Sequence, residues 1–130
     1  GKGIKVINEV GVAFAHSKVI EEEIFVERIQ MQSKRFIEAG SWKILLESEG
    51  LTENLDKKDY RWNVIDKIIS PLELNQFMVE ADDQDVLSKY IEIYGPGINM
   101  MVDYSRVLKM EDARLGYGPS QSLWGKVVKY

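Results

Sequence analysis

Four short apolar runs punctuate this chain, at residues 4–9, 42–47, 76–80 and 98–102, and a polar stretch with helical spacing follows each one. Residues 4–9 are β-branched and apolar apart from Lys5 and Asn8, which predicts a strand. A loop over Gly11–His16 leads to Ser17 as the N-cap of a long helix, with Glu21, Glu22 and Glu23 near its positive end. Positions 20, 24, 25, 29, 36 and 37 form its apolar face, Lys34 and Arg35 occupy its last turns, and Gly40 stops it. Trp42–Glu47 is a continuous apolar run of the kind buried on both faces. After a polar loop over Ser48–Lys58, Asp59 caps a helix from Tyr60 to Ile69 that ends near Pro71.

The second half repeats the scheme. Gln76–Glu80 predicts the third strand, Asp83 caps a helix closed by Gly95-Pro96, and Ile98–Val102 predicts the fourth strand. Ser105 caps a last helix to about Leu115, and the Gly- and Ser-containing tail, 116–130, carries no assignable element. The order βαβαβαβα implies parallel strands joined by right-handed crossovers, an α/β fold. At 130 residues the chain is one domain by length. Four βα units make a small open sheet or half of a (β/α)8 TIM-type barrel. The half-barrel is the better expectation, because such barrels collect acids at the ends of several different strands. It also leaves two strand edges unpaired, so either a preceding N-terminal half or further copies of the chain are expected to complete it. The start at Gly1, without an initiator Met, favours the missing N-terminal half.

Each apolar run ends in or beside a carboxylate: Glu9, Glu47, Glu80 and Asp103. In a parallel sheet these belong to the carboxyl edge, where α/β folds bind ligands. Anions gathered there repel unless a cation or a substrate proton offsets them, which points to a metal-assisted site. Each acid could equally mark a strand's exit into solvent. Glu49 and Glu53 lie in the polar loop, Asn99 opens the last strand, and Lys43 is either a buried partner for an acid or a side chain that snorkels outward. Arg114 is either a phosphate ligand or an exposed helix-end cation. His16, the sole histidine, cannot build a metal triad, and Trp42, Trp62 and Trp124 are expected to pack in the core.

Composition narrows the classes. A net charge of -4 with scattered Lys and Arg argues against a nucleic-acid surface. With no cysteine there is no disulfide framework and no thiolate metal site, a usage that fits the cytoplasm. No apolar run approaches the ~18 residues of a membrane span. Nucleophile elbows, P-loops and dinucleotide fingerprints are absent, and Gly95-Pro96-Gly97 is a turn.

At these same residues the chain resembles the phosphosulfolactate synthase family. The matching segments are Lys5-Val6-Ile7-Asn8-Glu9-Val10-Gly11, Glu38–Lys43 with Glu47 and Glu49-Gly50, Met78-Val79-Glu80-Ala81, and Tyr94-Gly95-Pro96 followed by Asn99. Glu111 with Arg114 resembles a family element near the C-terminus, and the likeness corresponds to the C-terminal half of a family barrel. Thr52-Glu53-Asn54 and Val102-Asp103-Tyr104-Ser105 are closer in style to the branch with plant heat-stress-associated proteins. The resemblance implies a Mg2+-dependent lyase that adds sulfite to phosphoenolpyruvate, an early step toward coenzyme M. It implies Glu9, Glu47 and Lys43 as catalytic residues, Asn99, Arg114 and Glu49 at the substrate, and Glu47, Glu80 and Asp103 at the metal. Where the synthases carry lysines after the first Glu-x-Gly, this chain has Val12-Ala13-Phe14-Ala15, and Ser48 stands where they tend to have an arginine. The departure admits a second expectation, a stress-associated relative that keeps the barrel but not the reaction.

Overall fold

A computed structural model describes residues 3–11 and 21–126. Four parallel strands alternate with helices, the architecture of half a TIM-type barrel. The strands are β1 (Ile7–Val10), β2 (Lys43–Leu46), β3 (Phe77–Glu80) and β4 (Asn99–Met101), hydrogen-bonded in the order β1-β2-β3-β4. The helices are α1 (Glu22–Glu38), α2 (Trp62–Ile69), α3 (Gln84–Tyr94) and α4 (Val107–Arg114). The chain divides into two compact units, Gly1–Met78 and Val79–Tyr130. No helix among the described residues is long and apolar enough to cross a membrane.

In the first unit β1 and β2 pair in parallel, with Ile7 opposite Lys43 and Val10 opposite Leu46. All four residues of β2 are buried, as its unbroken apolar run predicts. β1 begins later than the apolar pattern suggests, and Ile4 is 82% exposed. Helix α1 turns inward part of the face the apolar spacing selects, Phe25 and Ile29, shifted toward Val26 and Ser33 and away from Ile24. Phe25, Val26, Ile29 and Ser33 are buried, while Ile24 is 60% exposed. The sequence-predicted cap at Ser17 lies outside the described residues. A clasp ties α1 to α2: the Asn63 amide and the Lys67 ammonium both donate to Glu22 Oε1, at 3.0 and 3.2 Å. Helix α2 starts at Trp62, because Lys57–Asp59 form a separate 3-10 turn in place of an Asp59 cap. Trp42 is 45% exposed rather than core, with Lys5 Nζ 4.3 Å and Lys43 Nζ 4.8 Å from its ring centroid.

In the second unit Asp83 caps α3 as the sequence predicts, its Oδ1 accepting the Val86 N–H at 2.8 Å. Gly95 ends the helix at φ 87°, a left-handed backbone that favours glycine. Asp83→Ala is expected to lower unfolding free energy by about 1 kcal/mol, read from a urea titration. The expected Ser105 cap is replaced by Asp103, whose Oδ1 accepts the Ser105 N–H at 2.9 Å and starts a 3-10 turn, Tyr104–Arg106. Two residues earlier in the chain than Ser105, the aspartate can close this bond as soon as β4 ends. The tail, unassigned from sequence, folds onto α3: the Ser120 hydroxyl lies in hydrogen-bond contact with Ser88 and accepts from the Gln84 amide at 2.9 Å. Trp124 stays 57% exposed, its indole N–H donating to the Gly118 carbonyl at 2.9 Å.

Candidate functional site

Glu9, Glu47, Glu80 and Asp103 fall at or just past the carboxyl ends of the four successive strands. In the first unit Glu9 lies opposite Leu45, and the Glu47 N–H donates to the Val10 carbonyl at 3.0 Å. One further step of this register sets Gly11 beside Glu47. Side chains alternate along a strand, and register partners share a face, so Glu9 and Glu47 project on the same side of the sheet. Glu9 is exposed and Glu47 half-buried.

The loop after Glu47 is an ordered plug rather than a solvated linker. The Ser48 carbonyl accepts the N–H groups of Leu51, Thr52 and Glu53 at 3.0, 3.0 and 3.1 Å, and Leu51 and Thr52 are buried. The Ser48 hydroxyl donates to Glu53 Oε2 at 2.6 Å, and the Asn54 amide donates to Glu49 Oε2 at 2.8 Å. Asn54 takes a left-handed backbone at φ 59°, which its short polar side chain tolerates. Both loop acids thus serve the loop's own closure.

In the second unit Glu80, Ala81, Asp82, Met101, Val102 and Asp103 line a recess of about 320 Å³. The Ala81 N–H donates to the Met101 carbonyl at 3.0 Å and holds the exits of β3 and β4 together. Asp82 was not singled out from sequence, although the Glu80-Ala81-Asp82-Asp83 run was a visible signal. Tyr90, on α3, is buried. Burial pushes its phenol well above the usual range, and the charges of Tyr94, Asp82 and Glu80 add to the shift. That phenol stays protonated. Asp103 is held below the ordinary aspartate range, first by the Ser105 side-chain hydrogen bond and then by the Ser105 backbone.

The candidate cations and Asn99 lie elsewhere. Lys43 begins β2, and its ammonium donates to the carbonyl of Asn75 in the 3-10 turn that precedes β3. Arg114 Nη2 donates to the carbonyl of Ile98, just before β4, at 2.8 Å, and Nη1 lies 3.5 Å from Glu111 Oε1. Asn99 is the first residue of β4. All three sit at the amino ends of strands, the side of such folds that serves stability. His16 and Val12–Ala15 lie outside the described residues.

Carboxylate oxygens are hard donors of the type Mg2+ takes. Among the described residues no three acids gather closely enough to cage a metal by themselves. Mg2+ commonly uses one or two carboxylates and completes its shell with water and substrate oxygens, and that smaller demand these residues fit.

Parallel βα units carrying an acid at each strand exit define a half-barrel of the TIM type. The chain belongs to the (2R)-phospho-3-sulfolactate synthase (ComA) family, whose family model matches residues 1–118. It is also 31% identical over 93 residues to Protein HEAT-STRESS-ASSOCIATED 32 of Arabidopsis thaliana. That alignment covers 69% of this chain and 32% of the relative, so the chain spans about a third of the length of the curated relative it matches.

Proposed function

We propose that this chain contributes to a lyase that adds sulfite to phosphoenolpyruvate and forms phosphosulfolactate. Family membership together with an acid at the exit of every strand carries this reading. A C–S bond forms at the vinyl carbon C3, the C2–C3 π electrons shift toward the carboxylate as an aci-carboxylate, and a proton then reaches C2. Mg2+, when bound, would act as a Lewis acid on the carboxylate oxygens. One or two of the strand-exit carboxylates would supply its protein oxygens, Glu47 in the first unit or Glu80 and Asp103 in the second. Glu9, on the same face as Glu47, would hold or pass a proton at the strand ends. On this reading Lys43 and Arg114, bonded to the carbonyls of Asn75 and Ile98, fasten the amino ends of β2 and β4. The partners on this reading are phosphoenolpyruvate and sulfite, and the setting is cytoplasmic.

A second reading is a stress-associated protein that keeps the fold without the reaction. The likeness to HEAT-STRESS-ASSOCIATED 32 supports it, as does the tying of Lys43 and Arg114 to backbone carbonyls, away from the strand exits. An assay of full-length protein with sulfite, phosphoenolpyruvate and Mg2+ separates the two. Phosphosulfolactate in the product mixture supports the lyase, and none from folded protein supports the stress-associated reading.

A further inference from the structure

Gly11 follows β1 and is not among the glycines with positive φ, so backbone freedom does not explain a glycine there. Space does. A Cβ at position 11 would lie 2.5 Å from Glu47 Oε2, 2.9 Å from Glu47 Cβ and 3.2 Å from Glu47 Cδ. A rotamer change could carry Oε2 away, but Cβ is fixed to the backbone and moves only if the end of β2 moves with it. Glu47 therefore occupies the room that a side chain on β1 would take.

We infer that Gly11 is a positioning residue: its missing side chain lets Glu47 lay its carboxylate across the end of β1, on the face that carries Glu9. Any larger residue at position 11 first rotates the carboxylate off that face and then pushes the exits of β1 and β2 apart. The functional weight of this inference rests on the proposed lyase reading with Glu47 as a ligand. Its geometric content does not, because the conflict is steric.

A thermal cycle on the full-length protein tests the geometry with Gly11→Ala, Glu47→Gly and the double variant. Alanine in place of glycine at a compatible backbone normally stabilises by narrowing the unfolded ensemble. Gly11→Ala is expected to lower Tm by several degrees in the parent and to leave it unchanged or raise it in the Glu47→Gly background. An equal rise in both backgrounds overturns the inference. Titration with Mn2+, a spectroscopic stand-in for Mg2+, tests the positioning role. Gly11→Ala is expected to bind Mn2+ about tenfold more weakly, equivalent to about 1.4 kcal/mol, with a parent-like circular dichroism spectrum. Parent-like Mn2+ affinity in Gly11→Ala overturns that role even where the thermal cycle shows coupling. A parent that binds no Mn2+ sinks the lyase reading, and the thermal cycle then still decides whether Gly11 sets the place of Glu47.

Discussion

Ile29→Ala is expected to lower the unfolding free energy of the protein by about 2–5 kcal/mol. Ile24→Ala, on the same helix, is expected to change it by less than ~0.5 kcal/mol. Both residues are isoleucines of α1, so helix propensity changes equally and cancels between them. What differs is burial: Ile29 is fully buried, whereas Ile24 is 60% exposed. Removing the Ile29 side chain takes away buried apolar contacts and leaves a cavity that packed neighbours fill only in part. At Ile24 the lost groups were already in water for the most part. Urea titrations of the two variants measure the difference through their midpoints at equal slope. Equal losses would mean that α1 docks through the face its apolar spacing suggests, contrary to the arrangement of Phe25, Val26, Ile29 and Ser33.

The contrast between those two isoleucines shows where the chain speaks clearly and where it does not. Strand existence and order were legible, because continuous apolar runs bounded by polar, helix-patterned stretches have one economical arrangement. The β2 run is buried throughout, and Asp83 caps α3 as its position before a helical pattern implies. The docking face of α1 was only partly legible: Phe25 and Ile29 are buried as expected, but a polar residue, Ser33, lies in the buried stripe while an isoleucine, Ile24, lies outside it. The end of the sheet reached by a long side chain was equally hidden. Lys43 and Arg114 belong to the right elements, yet their charged ends reach carbonyls at Asn75 and Ile98, contacts set by turns far away in sequence. Asp103 was legible as a strand-end acid, and its capping bond to Ser105 was not. An acid that closes a turn and an acid that binds a ligand have the same letter, and only the neighbouring N–H separates them.

Glu47→Gln in the full-length protein is expected to reduce sulfite addition to phosphoenolpyruvate by about 100-fold or more, the usual scale for losing an acid–base or charge-stabilising group. Glutamine keeps the length and branching of the side chain, so the steric fit against Gly11 survives and only the charge and one acceptor oxygen are changed. Tm should therefore stay near the parent value, in contrast to Gly11→Ala, which moves the strand ends while leaving the charge intact. Rates measured across Mg2+ concentration locate the fault. A deficit that shrinks as Mg2+ rises assigns Glu47 to holding the ion, and a deficit that persists at saturating Mg2+ assigns it to the chemical step. Unchanged turnover at every Mg2+ concentration would remove Glu47 from the reaction. It would leave its position over Gly11 as a packing feature at the end of β1, no different in kind from the internal bonds of Glu49 and Glu53.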